Sequence, residues 1–181
     1  GQLKNKVISF AQYLRSIGVV KGDCVASYLP NIEETTVAML ATVSIGAIWS
    51  AAAPEFGSQT VLDRFLQISP KVILISDGYK FNGKSFSKAQ DNLTIISQLE
   101  SVEKVILVNY IDQCNEINFP NLVNYNDVIN FASEDPFEFE WVENNHPLWI
   151  LYSSGTTGLP KAIVHSHLGM LLESWLLCSI H

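Results

Sequence analysis

The sequence predicts an α/β fold, a mainly parallel, doubly wound sheet flanked by helices. Three observations carry that reading. Short aliphatic runs such as Val72–Ser76 are bounded by turn residues, as strands buried on both faces require. Between them lie longer stretches whose apolar residues recur at helical spacing. The 181 residues are 48% apolar and only 16% charged, against roughly 25% charged in an average domain. That balance supplies enough apolar surface for a buried sheet and is the opposite of a disordered composition.

In chain order, Val7, Ile8, Ala11, Leu14 and Ile17 share one face of a first helix, stopped at Gly18. The Gly22-Asp23 turn leads into a strand over 24–29, ended by Pro30-Asn31. Residues 33–45 form an apolar helix with Gly46 as its stop, and 47–52 form a core strand. Ser58 is placed as the N-cap of a helix carrying Val61, Leu62, Phe65 and Ile68 on one face, closed by Pro70. The strand Val72–Ser76 comes next, then a Gly/Lys/Asn loop over 77–84, a helix near 87–99 and a strand over 105–108. This βα alternation calls for parallel strands joined by helical crossovers.

Beyond it, from 109 to 147, periodicity is weak. Asp91 to Glu143 hold eleven acidic residues against Lys104 alone, so a solvated connecting segment is expected there. The last residues, with Leu171, Leu172, Trp175, Leu176 and Ile180, keep helical spacing with no cap after them. The chain is therefore expected to be truncated at both ends, a piece of a longer protein.

The formal net charge of −7 argues against a non-specific nucleic-acid or anionic-membrane binder. Cys24, Cys114 and Cys178 are odd in number and far apart, which suits neither a disulfide framework nor a metal pair. With no basic-then-apolar leader pattern in Gly-Gln-Leu-Lys, a reducing, cytoplasmic location is expected. Thr35 to Pro54 carry no charge, but the hydroxyls of Thr35, Thr36, Thr42, Ser44 and Ser50 and the break at Gly46 favour a buried helix and strand over a membrane span.

The chemistry lies near the C-terminus. An apolar strand, Leu148-Trp149-Ile150-Leu151-Tyr152, runs into Ser153-Ser154-Gly155-Thr156-Thr157-Gly158, then Leu159-Pro160-Lys161. Two glycines allow backbone conformations that turn several N–H groups into one concavity. Four hydroxyls add donors and Lys161 adds a mobile cation, a combination suited to a triphosphate. The nucleotide-hydrolase P-loop is rejected by spacing, since Gly155 is followed after four residues by Pro160, and Lys161 by Ala162. A short strand over 161–165 follows where that motif would open a helix.

The run from Tyr152 to Lys161 resembles the phosphate-binding signature of the adenylate-forming superfamily, which holds acyl-CoA synthetases, luciferases and peptide-synthetase adenylation domains. The segments Gly18 to Ala26, Tyr28 to Asn31 and Ala38 to Ala47 look like its opening core. More narrowly, Ile48-Trp49-Ser50, Pro54-Glu55-Phe56-Gly57, Leu62-Asp63-Arg64-Phe65, Asp77-Gly78-Tyr79 and Pro160 to His167 resemble its acetoacetate-activating branch. Ala162 replaces the usual superfamily Gly, in keeping with that branch, while Leu168 stands where the branch has Gly.

The resemblance implies part of the large N-terminal domain of an adenylate-forming enzyme, with the C-terminal domain absent and the isolated fragment inactive. It implies an AMP-forming acid–thiol ligase that joins acetoacetate, or a similar short acid such as acetate or propionate, to CoA. A nucleotide-binding homologue without catalysis is the other reading left open. ATP and CoA are the implied co-substrates. Magnesium is implied too, its protein ligand lying in a later motif. By the same resemblance Ser153, Ser154, Gly155, Thr156, Thr157, Gly158 and Lys161 cradle the ATP phosphates. Lys161 acts as catalytic charge clamp, and His167 sits near the acyl-phosphate end, with His165 a weaker candidate. Trp175 is a candidate wall of the acyl pocket. From Lys71 to Lys88 there are four lysines and one acid, Asp77, a local positive charge in an acidic chain. By resemblance Lys84, with Lys80 beside it, meets the 3′-phosphate of CoA.

Overall fold

In chain order the elements are α1 (Gln2–Ser16), β1 (Cys24–Tyr28), α2 (Glu33–Ser44), β2 (Ile48–Ala52), α3 (Ser58–Phe65), β3 (Val72–Ser76), β4 (Gly78–Phe81), β5 (Lys84–Ser87), α4 (Ala89–Gln98), β6 (Lys104–Val108), β7 (Leu122–Asn124), α5 (Tyr125–Ile129), β8 (Pro147–Ser153), β9 (Lys161–Ser166) and α6 (His167–Ile180). The computed structural model describes residues 1–113, 119–133, 135–153 and 158–180. One seven-stranded sheet has the order β7-β6-β3-β1-β2-β8-β9, and a separate hairpin pairs β4 with β5. Within the large sheet every pairing is parallel except β8 with β9.

The expected α/β architecture is the one observed, and strand alternation explains it. Along β3, Val72 and Leu74 point into one apolar cluster, with Phe10, Leu14, Val37 and Ala41 of α1 and α2. Ile73 and Ile75 point into the other, with Val61 and Phe65 of α3 and Ile95 of α4. All five β3 residues are buried. A strand covered on both faces has no use for polar alternation, so it reads as a continuous apolar run. Each such side chain contributes roughly 1.5–3 kcal/mol by leaving water.

The uncharged stretch from Thr35 to Pro54 divides as expected into α2 and β2, separated at Gly46 with φ +71°. No helix among the described residues is long and apolar enough to cross a membrane. Ser58 is the first helical residue of α3 rather than its cap; Gly57 holds the N-cap position, with no side-chain bond.

Two further expectations change. The loop over 77–84 is mostly a hairpin. Asn82 and Gly83 turn it with φ of 48° and 74°, the positive pair that matches strand twist in a two-residue connection. Tyr79 stacks on its cross-strand partner Phe86, ring centroids 5.1 Å apart. The acidic segment over 109–147 is also more than a solvated connection. It contributes β7 to the sheet edge and α5, whose Tyr125 and Val128 are buried, Tyr125 packing 5.9 Å from Phe10. Its later part straps α1 and α2: Gln12 Nε2 donates to the Asp135 carbonyl (2.8 Å), Arg15 Nη1 to that of Glu138 (2.8 Å), and Lys21 Nζ to that of Trp141 (2.9 Å), while the Glu140 N–H donates to the Ser44 carbonyl (2.9 Å). Elements of three and five residues are too short to show a period, and side-chain-to-backbone bonds leave no pattern in the strap's own sequence.

Connections leave the sheet in two directions. From β1 the chain passes through α2 to β2 on one side, and from β3 through α4 to β6 on the other. Adjacent β1 and β3 therefore form a switch point, and ligands of open α/β sheets bind outside the carboxyl ends of strands at such a point.

Candidate functional site

The tip of the β8–β9 hairpin carries the Ser/Thr/Gly motif. Parallel pairing of Ser50 with Ile150 aligns the end of β8 with the end of β2, so the tip lies on the carboxyl edge of the sheet. Ser153 and Lys161 are direct cross-strand partners, which puts both side chains on one face with Cβ atoms about 5 Å apart. Lys161 is exposed and makes no hydrogen bond or ion pair with the described residues, so its ammonium is free for a ligand. Gly158 has φ +138° with open space where a Cβ would stand. Its glycine is required by backbone conformation rather than by crowding. Ser154, Gly155, Thr156 and Thr157 lie outside the described residues.

The end of α3 and the turn after it hold the hairpin tip. The Tyr152 hydroxyl donates to the Arg64 carbonyl (2.9 Å), and Gln67 Nε2 donates to the carbonyls of Asp63 (2.6 Å) and Pro160 (2.9 Å). The Arg64 guanidinium lies 4.9 Å from the ring centroid of Phe56 and 5.7 Å from that of Tyr152. Ser50 Oγ donates to the Ile150 carbonyl (2.9 Å) one strand away. Burial raises the Tyr152 phenol pKa above 10, which keeps it a proton donor at neutral pH. Sequence reasoning used Arg64 only as part of a resemblance and missed Gln67. A contact 93 residues away in sequence has no local signal.

A second feature shares this edge. A cavity of about 560 Å³ opens at the β1/β3 switch point, lined among others by Asn31, Thr35, Glu55, Tyr79, Lys80 and Tyr110. Of the four lysines from Lys71 to Lys88, two have structural partners. Lys71 Nζ donates to the Gly18 carbonyl (2.7 Å) and pairs with Asp23 (3.3 Å). Lys88 Nζ pairs with Asp91 (2.7 Å) and donates to the Phe56 carbonyl (3.2 Å). Burial opposes the Lys88 charge, but the bonds to Asp91 and Tyr28 outweigh it and hold its pKa above 10.5.

Lys80 sits 5.1 Å from the Tyr110 ring at the cavity. Lys84 pairs with Phe81 and Lys80 with Ser85. Strand alternation therefore sends the two lysines to opposite faces of the hairpin, and the structure does not bring them together on one phosphate. Asp77, from the same motif, is a structural anchor: its carboxylate accepts the N–H groups of Tyr110 (2.8 Å), Ile111 (3.0 Å) and Gln113 (2.8 Å).

His167 departs from expectation. Because β9 runs antiparallel to β8, Ser166 pairs with Pro147 and the chain emerges at the amino edge of the sheet. Six strand residues at about 3.3 Å each put His167 roughly 20 Å from Lys161. Its ring lies 5.7 Å from that of His146, and it lines an apolar cavity of about 390 Å³ with Met39, Val43 and Leu171. Burial, then the neighbouring His146, lowers its pKa below 6.5. His165 packs edge-on to Trp149 (6.5 Å), and Trp175 is exposed on α6. The histidines of this region were legible as residues, but the edge on which they emerge is a property of strand direction.

Residues 1–180 match the family model described as "AMP-binding enzyme". The chain is 41% identical over 178 residues to acetoacetyl-CoA synthetase of Macaca fascicularis, covering 95% of this chain and 26% of that protein. It is 42% identical over 179 residues to acetoacetyl-coenzyme A synthetase of Rhizobium meliloti (strain 1021), again covering 95% and 26%. The solved structure of acetoacetyl-CoA synthetase from Streptomyces lividans superposes with a TM-score of 0.88 at 40% identity, covering 95% of this chain and 26% of that one. The chain thus spans about a quarter of the length of the relatives it matches.

Proposed function

The chain belongs to the AMP-binding enzyme family, and on that premise we propose that it is the phosphate-binding part of an AMP-forming acid–thiol ligase that converts acetoacetate, ATP and CoA to acetoacetyl-CoA, AMP and diphosphate. The observation that carries this reading is the Ser153–Lys161 pair at the tip of a hairpin on the carboxyl edge of the sheet. It offers hydroxyl and ammonium donors together, one strand from β2 and beside the switch-point cavity.

In the first step a carboxylate oxygen of the acid attacks the α-phosphorus of ATP, and the bond to the bridging oxygen of the β-phosphate breaks. Charge builds on the departing diphosphate. Ser153 to Gly158 cradle it with hydroxyls and backbone N–H groups, and Lys161 neutralises it as it forms, the kind of group that acts most strongly in the transition state. In the second step the CoA sulfur attacks the acyl carbon and AMP departs. Lys80, at the cavity on the same edge, meets the anionic end of CoA as a flexible point charge. Lys84, on the other hairpin face, is assigned a lesser part.

Magnesium enters as the counter-ion of ATP. Among the described residues no three His, Cys, Asp or Glu side chains converge on a metal position. The hairpin tip offers hydroxyls and a cation, which do not fit a protein-held metal. These residues form part of an N-terminal adenylation domain, with the remaining catalytic parts elsewhere in the protein. Its partners are small molecules rather than nucleic acid, and its setting is cytoplasmic.

The acid is tested with the full-length protein and a panel of acetoacetate, acetate, propionate, long-chain and aromatic acids, measuring ATP- and CoA-dependent thioester formation. Preference for acetoacetate is the expected result. Preference for acetate or a long chain would overturn the substrate, and no thioester from any acid would overturn the ligase.

A further inference from the structure

The two residues next to the Ser153–Lys161 pair, Tyr152 before Ser153 and Pro160 before Lys161, are held by the end of α3 and the turn that follows it. Tyr152 donates its hydroxyl to the Arg64 carbonyl, and the Pro160 carbonyl accepts from Gln67 Nε2. Gln67 has two amide hydrogens, and both are used, one on the Asp63 carbonyl within the helix end and one on Pro160. Pro160 has no N–H of its own, so its carbonyl is the one backbone group through which it can be held. Arg64 adds its guanidinium, layered against the rings of Phe56 and Tyr152. Among the described residues, the Gln67 bond is the one hydrogen bond that ties the Lys161 end of the hairpin to anything other than β8; β9 pairs with β8 alone and buries none of its residues.

We infer that Gln67 is a positioning residue for adenylation, fixing the backbone on which Lys161 stands so that its ammonium meets the phosphates of ATP at the tip. The inference rests on the ligase reading. A hydrogen bond on a protein surface contributes little to global stability, yet small misplacements of a charged group cost rate steeply. Gln67 is exposed, so its loss leaves the core intact. Its effect should fall on the step that builds charge on diphosphate and spare the step that does not.

The test compares two half-reactions of the full-length protein carrying Gln67→Leu or Gln67→Glu, neither of which can donate to Pro160 at neutral pH. Acid-dependent ATP–pyrophosphate exchange reads adenylation. Thioester formation from supplied acetoacetyl-adenylate and CoA reads the second step without the phosphate cradle. The expected result is an exchange rate lowered about 3- to 10-fold in both variants, the effect of one hydrogen bond, with thioester formation and melting temperature unchanged. Exchange at the wild-type rate, or equal losses in both half-reactions, would overturn the positioning role while leaving the ligase intact. A wild-type protein that exchanges no pyrophosphate would remove the ligase reading itself, and the positioning role with it.

Discussion

Strand β3 is paired on both sides and buries all five of its residues, whereas β9 is paired on one side only and buries none of its six. The contrast extends to the helices that follow. Helix α3 sinks Val61, Leu62 and Phe65 into the core, while α6 has no buried residue and leaves Leu171, Leu172, Trp175 and Ile180 exposed. Stability is concentrated in β1–β3 and β6 with their helices. The proposed phosphate-binding groups stand on a hairpin that contributes little to it. Substitutions in the two regions should therefore separate, one set moving unfolding and the other moving rates.

The largest expected stability effect is at the centre of the first region. Phe10→Ala, at a side chain with no exposed surface, should destabilise by about 3–5 kcal/mol, read as a lower urea midpoint at unchanged slope. A loss below 1 kcal/mol would erase the contrast. Gly78→Ala comes next. An added Cβ would clash with the Phe86 carbonyl oxygen and with Ile111 Cδ1, and the backbone oxygen cannot swing aside, so about 1–3 kcal/mol should be lost. An unchanged midpoint would show that the β4–β5 hairpin shifts freely.

His167 sharpens the comparison by pH. Its folded pKa lies below 6.5, so the unfolded chain takes up a proton that the fold resists. Stability from this group is complete above about pH 6.5 and declines as pH falls below it, towards the depressed folded value. His167→Gln should flatten the dependence of the urea midpoint between pH 7 and 5, and an identical slope in both proteins would remove the histidine as its source. The smallest effect belongs to the cavity lysine. Lys80→Ala in the full-length protein should raise the Michaelis constant for CoA severalfold, less so at high salt or with dephospho-CoA, and Lys84→Ala should do less. Equal losses with both thiols would take Lys80 away from the 3′-phosphate.

What could be read from sequence followed physical range. Buried parallel strands such as Val72–Ser76 announce themselves because both faces are apolar, and helix faces because 3.6-residue spacing repeats over several turns. The Asn82-Gly83 turn is a strong hairpin signal, but the strands beside it are four residues each and mostly exposed, so alternation is too brief to register. The Ser/Thr/Gly run and Lys161 stand out in the sequence because their order is improbable in an ordinary turn. Their support by Gln67, the opposite faces of Lys80 and Lys84, and the removal of His167 to the amino edge depend on pairings and strand directions that form only in the folded sheet.

The most direct measurement is acetoacetate-dependent ATP–pyrophosphate exchange by the full-length protein and its Lys161→Ala variant, with urea unfolding of both. Loss of one charge-stabilising donor costs about 3–4 kcal/mol of transition-state energy, so exchange should fall about 100- to 1,000-fold with the urea midpoint unmoved. Exchange at the wild-type rate in the variant would contradict the placement of the departing phosphates at the hairpin tip.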